Sequence, residues 1–178
     1  MATALARRGP DQAGYLGADA AGVALGHRRL SVIDLTPSGA QPMTSRSGRW
    51  TVVYNGEIYN HHEVRGLLGD TVAEWRGHSD TETLVEAIDA WGVAATLPRL
   101  EGMFAIAAYD SVEGRLVLAR DRLGEKPIYW TQQHGGFAFA SELSALRTLP
   151  DLALEIDPSA VTALLRWSFI PHPHTIYL

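Results

Sequence analysis

The chain is predicted to fold as an α+β domain. Three observations lead there. Several short strand-like segments follow one another in meander order, helix-like segments sit between and after them, and 46% of the 178 residues are hydrophobic against 20% charged. That balance suits an ordinary folded domain with a sizeable core. The order of segments favours antiparallel pairing, with helices packed on sheet faces.

Taken in order, Gly22 to Asp34 alternates apolar positions with His27, Arg28 and Arg29 and reads as a strand with polar groups near its end. Thr36 to Ser47 is rich in Pro, Ser and Gly and reads as a loop. Trp50, Val52 and Tyr54 alternate along a strand that leads into Asn55-Gly56, a tight-turn signal. Asn60 with Glu63 forms a capping-box pattern for a short helix ending near Gly69. Ser79 with Glu82 opens a second helix, whose Leu84, Val85, Ile88 and Trp91 share one face up to Gly92. Met103 to Tyr109 is a continuous apolar run suited to a strand buried on both faces. Asp110 to Gly114 reads as a turn, then Arg115–Arg120, Pro127–Thr131 and Gly136–Ala140 as strands and Ser141–Leu149 as a helix. Asp157-Pro158 supplies a cap and a first-turn proline for a last helix through Trp167.

Composition excludes several function classes. The formal net charge is -5 and there is no long basic run, so no nucleic-acid surface is expected. No apolar stretch approaches the roughly 18 residues of a membrane span. The N-terminus reaches Arg7 and Arg8 too soon for a signal peptide, so the cytoplasm is the expected location. The chain has no cysteine, which removes disulfides, thiolate metal sites and a cysteine nucleophile from these residues. A phosphate-cradling loop is absent, since Gly124-Glu125-Lys126-Pro127 only echoes one. Gly77-His78-Ser79-Asp80-Thr81 is not a nucleophile elbow. His61-His62 and His172/His174 lack metal-ligand spacing, and no metal site is expected.

What remains is a set of polar groups beside turns: Arg29, Asn55, Gly56, Glu57 and Asp80. Each has a plain reading: a surface or ion-paired arginine, a hairpin turn, an aspartate at the positive end of a helix dipole. Together they offer a cation for a carboxylate, an anion for an amine, and an amide plus a backbone N–H for an oxyanion. An amino-acid substrate undergoing acyl transfer needs those groups.

At these positions the sequence resembles the class II glutamine amidotransferase domain of asparagine synthetases, in the N-terminal-nucleophile hydrolase superfamily. The resemblance rests on Arg8-Gly9-Pro10-Asp11, His27-Arg28-Arg29-Leu30 with Asp34, Gln41-Pro42-Met43, Asn55-Gly56-Glu57-Ile58-Tyr59-Asn60 and Gly77-His78-Ser79-Asp80-Thr81-Glu82. It continues through Glu101-Gly102-Met103-Phe104-Ala105, Ala119 to Pro127, Phe139 to Leu143 and Thr175-Ile176-Tyr177, in order along the whole chain. Arg7 stands where the family usually has histidine.

The resemblance implies a four-layer αββα sandwich of the N-terminal-nucleophile hydrolase type. It implies L-glutamine as ligand, with Arg29 on the α-carboxylate, Asp80 on the α-ammonium, Gly56 and Glu57 lining the pocket, and Asn55 with the Gly56 N–H as the oxyanion hole. In the family an N-terminal cysteine attacks the side-chain amide, and its own α-amino group, titrating near ~7.7, is the base. Ammonia then reaches a second domain that uses ATP and Mg to amidate aspartate. On this basis residues 1–150 are expected to be an N-terminally truncated glutaminase domain. Its first strand and nucleophile would be missing, leaving a gap in the fold. Residues 151–178 would begin the connection to an absent C-terminal synthetase domain. No cofactor is expected in this chain, and homodimerisation is left open. Two alternatives stand beside this: a degenerate, non-catalytic binding or partner-packing module, and the matching half of a β-lactam-synthetase-like or other amide-forming enzyme.

Overall fold

The computed structural model describes residues 1–18, 22–31, 34–133, 135–150 and 152–178. A 3₁₀ turn (Ala2–Leu5) is followed by β1 (Gln12–Ala18), β2 (Val23–Arg29), a second 3₁₀ turn (Pro37–Gly39), β3 (Met43–Thr44) and β4 (Trp50–Ile58). Then come α1 (His61–Leu68), α2 (Asp80–Trp91), the single turn α3 (Val93–Thr96), β5 (Gly102–Asp110) and β6 (Arg115–Arg120). The chain closes with β7 (Tyr129–Gln133), β8 (Gly136–Ala140), the single turn α4 (Leu143–Leu146) and α5 (Pro158–Trp167). Val32 and Ile33, part of the strand read over Gly22 to Asp34, lie outside the described residues.

Strands β3-β4-β5-β6 form one antiparallel sheet, while β1-β2 and β7-β8 are separate hairpins. Alternation along β4 explains the layering. Val52, Tyr54 and Ile58 pack with Val64, Leu84, Val85 and Ile88 of α1 and α2 on one face. Val53 points the other way, with Ala107 and Tyr109, and meets Leu16, Leu25 and Phe139 of the hairpins. On the far side of the hairpins, Ala140 and Tyr129 pack against Leu146 of α4 and Leu5 of the first 3₁₀ turn. The result is the expected α+β order of four layers, helix, sheet, sheet, helix. The second sheet is made of two hairpins with no hydrogen bond between them among the described residues.

Several expectations are corrected. Asn55-Gly56 is not a turn: β4 runs straight through it, pairing Asn55 with Ala105 and Gly56 with Phe104. Glycine is needed there because a Cβ would overlap the Met103 carbonyl oxygen and come within 2.8 Å of the Phe104 Cα. The loop over Thr36 to Ser47 holds the short strand β3, paired with β4. Asn60 does precede α1, but its side chain makes no cap; it bonds the Arg99 carbonyl and the Glu101 N–H instead. At α2 the box is half formed. Ser79 Oγ accepts the Glu82 N–H, while the Glu82 carboxylate takes the N–H groups of Arg76 and Gly77 at 2.7 and 2.9 Å. β7 starts at Tyr129 rather than Pro127. The helix expected over Ser141–Leu149 is the one turn α4, which lacks a side-chain cap and faces Pro150, a residue that pushes its predecessor out of helical conformation.

Candidate functional site

A cavity of about 1110 Å³ opens where β2 faces β8 above the central sheet, and Arg29, Asn55, Gly56, Glu57 and Asp80 all line it. This volume lies just above the usual range for small-ligand pockets, roughly 300–1,000 Å³. It leaves room for more than an amino-acid-sized ligand.

Strand alternation brings Arg29, Asn55 and Glu57 together, and Gly56 contributes its backbone between the last two. Asn55 and Glu57 continue the face of β4 that carries Val53, towards the hairpins. Arg29 lies on the face of β2 that carries Leu25, towards the sheet. Asp80 arrives from the first turn of α2, and its carboxylate wraps around the free edge of β4. There Asp80 Oδ2 accepts the Tyr54 hydroxyl at 2.8 Å and the Ile58 N–H at 3.0 Å.

The edge of β4 shows where an unpaired donor sits. Phe104, opposite Gly56, turns its N–H to the Asp121 carboxylate and its carbonyl to the Asp121 N–H. Gly56 therefore occupies a non-hydrogen-bonded register position, and its own N–H points out of the opposite edge. On that edge the Tyr54 N–H donates to Gln41 Oε1 at 2.6 Å, and the Ile58 N–H donates to Asp80. The Gly56 N–H lies between these two filled positions, beside the cavity. The Asn55 side-chain amide nitrogen is buried without a hydrogen-bond partner among the described residues.

Arg29 is 8% exposed. Its guanidinium donates to the carbonyls of Thr36, at 2.9 Å, and Asp34, and to Gln12 Oε1 at 3.3 Å. These partners are neutral oxygens, and no ion pair among the described residues includes Arg29. Its guanidinium is thus oriented by neutral oxygens, while the Asp34 carboxylate feels its charge without pairing with it directly.

The surrounding groups hold the two loops of the site. Asp34 accepts the N–H and hydroxyl of Thr36 and the N–H of His78. The Thr36 hydroxyl and these N–H groups hold its carboxyl down at about 2. Gly77 belongs to this junction, since a Cβ there would meet the Asp34 carboxylate at 2.7 Å and Ser38 Cβ at 2.6 Å. Behind it, buried Glu82 holds the 76–77 backbone and pairs with Arg76 at 3.1 Å and Arg65 at 3.7 Å. His27 Nε2 lies 3.1 Å from the Tyr54 carbonyl. Burial, opposed in part by that contact and aided by the charge of Arg29, lowers its pKa from 6.5 to about 4. The neutral ring therefore donates its Nε2–H to the carbonyl.

The glutamine amidotransferase domain profile matches residues 1–178, the whole chain. The chain belongs to the glutamine amidotransferase domain family. Among its relatives is the asparagine synthetase [glutamine-hydrolyzing] 3 of Bacillus subtilis (strain 168), 35% identical over 166 residues, which cover 92% of this chain and 26% of that protein. The amidase chry2 of Gibberella zeae is 35% identical over 162 residues, covering 91% of this chain and 23% of that protein. This member of the family spans about a quarter of the length of the curated relatives it matches. Its fold matches the glutamine phosphoribosylpyrophosphate amidotransferase of B. subtilis, solved with ADP and GMP. The TM-score is 0.61 with 22% identity, over 76% of this chain and 31% of the other. The likeness is one of fold, a layered α+β architecture shared with that enzyme. Tyr54, Gln41, His27 and Asp34 hold this site together, although none of them has a specific task legible in the sequence. His27, Asp34 and Gln41 lay within the matching motifs. Tyr54 was legible only as an apolar strand residue.

Proposed function

We propose that this chain forms the glutamine-binding part of a glutaminase domain that supplies ammonia for ATP-dependent amide formation. The observation that carries the reading is the convergence, on one cavity, of a buried arginine, a carboxylate and two N–H donors that have no partner among the described residues. L-glutamine fits these groups. Its α-carboxylate answers Arg29 and its α-ammonium answers Asp80. Its side-chain carbonyl oxygen lies towards the Asn55 amide and the Gly56 N–H, with Glu57 at the wall.

During amide cleavage, negative charge grows on that oxygen, and the two donors stabilise it. One such donor is worth on the order of 100–1000-fold in rate. The chain has no cysteine, so in this reading the attacking thiol arrives on a strand from outside these 178 residues. The opening between β2 and β8 is where that strand would pair. The released ammonia would pass to a synthetase domain that uses ATP and Mg. Aspartate is the acceptor that the asparagine synthetases in the family suggest.

Isothermal titration with L-glutamine tests the binding reading. Saturable binding is expected, lost in Arg29→Ala and in Asp80→Asn. A folded chain that takes up no glutamine, or binds it equally in both variants, would point instead to a degenerate packing module. Ammonia release from glutamine by the chain alone is expected at background level. Release above background that disappears in Arg29→Ala would overturn the assignment of the nucleophile to an external strand.

A further inference from the structure

We propose that Tyr54 is the positioning residue for Asp80, and that its hydroxyl sets the affinity of the site for the α-ammonium group of its ligand. The proposal rests on the reading of the cavity as a glutamine site and adds to it the group that makes one carboxylate selective for an amine.

Three contacts lock Tyr54 in place. Its N–H donates to Gln41 Oε1 at 2.6 Å, and Gln41 is itself tied to the first turn of α2 through Thr81 Oγ1 at 3.2 Å. Its carbonyl accepts from His27 at 3.1 Å. Its ring is 4% exposed and packs between β4 and the helices. The two side chains, Gln41 and His27, replace the neighbouring strand that β3 is too short to provide. The phenol is thereby aimed at one target, Asp80 Oδ2, at 2.8 Å.

The direction of that bond is fixed. Burial, followed by the charge of Asp80, pushes the phenol's pKa far above its usual value, so the hydroxyl keeps its proton and donates. With the Ile58 N–H on the same oxygen, Oδ2 is fully committed to the fold. Asp80 Oδ1 is the oxygen left to meet a ligand. Without the phenol, the carboxylate keeps one anchor and can rotate, and the oxygen facing the ligand is no longer defined.

Tyr54→Phe removes the hydroxyl and keeps the ring. The experiment is an NMR titration of the wild-type chain and this variant with L-glutamine, and with glutaramate, which is glutamine without its α-ammonium. A hydrogen bond to a charged group is worth enough to predict a loss of about tenfold in affinity for L-glutamine. Affinity for glutaramate should be unchanged. A general loosening of the fold would weaken both ligands together, and that result, or no change for either, overturns the role of Tyr54. Absence of glutamine binding in the wild-type chain would instead overturn the glutamine reading and, with it, this proposal.

Discussion

His27 illustrates how one residue couples the site to the stability of the domain. Its ring is neutral in the folded chain, with a pKa lowered to about 4, while the unfolded chain has the ordinary 6.5. Above pH 6.5 neither state binds the proton and His27 costs nothing. As the pH falls from 6.5 to 4, the unfolded chain takes up a proton that the folded chain refuses, so folding loses stability through this window. The gap between the two values corresponds to ~3 kcal/mol, reached in full only near the lower end. His27→Gln keeps a donor for the Tyr54 carbonyl and has nothing to titrate. Urea unfolding at pH 7 and pH 4.5 should therefore show a steeper loss of stability for the wild-type chain than for the variant. Parallel losses would mean that the ring is not buried as a neutral donor.

At the scale of elements, α2 is the helix on which the site depends, and its start is held in two unequal ways. Ser79 Oγ caps the Glu82 N–H in an ordinary N-cap, so Ser79→Ala should cost about 1 kcal/mol. Glu82 is fully buried and anchors the 76–77 backbone together with Arg65 and Arg76. Glu82→Ala should cost ~3 kcal/mol or more, because Arg65 loses its carboxylate partner and the 76–77 N–H groups lose theirs, while Arg76 keeps Glu86. Equal costs in urea unfolding would show that Glu82 acts merely as a cap. The sequence pattern foresaw this helix, its cap and its apolar face, because a 3.6-residue period is a local property. It also foresaw β5, β6, β8 and α5 within a residue or two. It failed where the deciding neighbour is distant. Asn55-Gly56 has the composition of a turn, yet the glycine is there because the Met103–Phe104 backbone crosses close by. β1 went unread because Gly14 and Gly17 break its alternation, and only pairing with β2 makes it a strand.

Over the whole molecule, the open side of the domain lies between its two hairpins. Convergence of Arg29, Asn55 and Asp80 could not be read from spacing. It depends on the register of β4 with β5 and on β2 stacking over that sheet; residue type and position beside turns made these residues candidates, and the family resemblance gave each its role. The same stacking leaves β2 and β8 each paired on one side only among the described residues, facing each other across a cavity of about 1110 Å³. By contrast, β5 has neighbours on both sides, and β4 is paired with β5 along its whole length. Hydrogen exchange should resolve this difference. Amides of Val53, Ile106 and Ala107 should exchange only with global unfolding, whereas the cavity-facing amides of Val23–Arg29 and Gly136–Ala140 should exchange by local opening, orders of magnitude faster. Such edges are also templates for strand addition, so light scattering should reveal self-association that grows with concentration. A strictly monomeric chain in which β2 and β8 are protected as uniformly as β4 and β5 would mean that the opening is closed in solution, with no place left for an incoming strand.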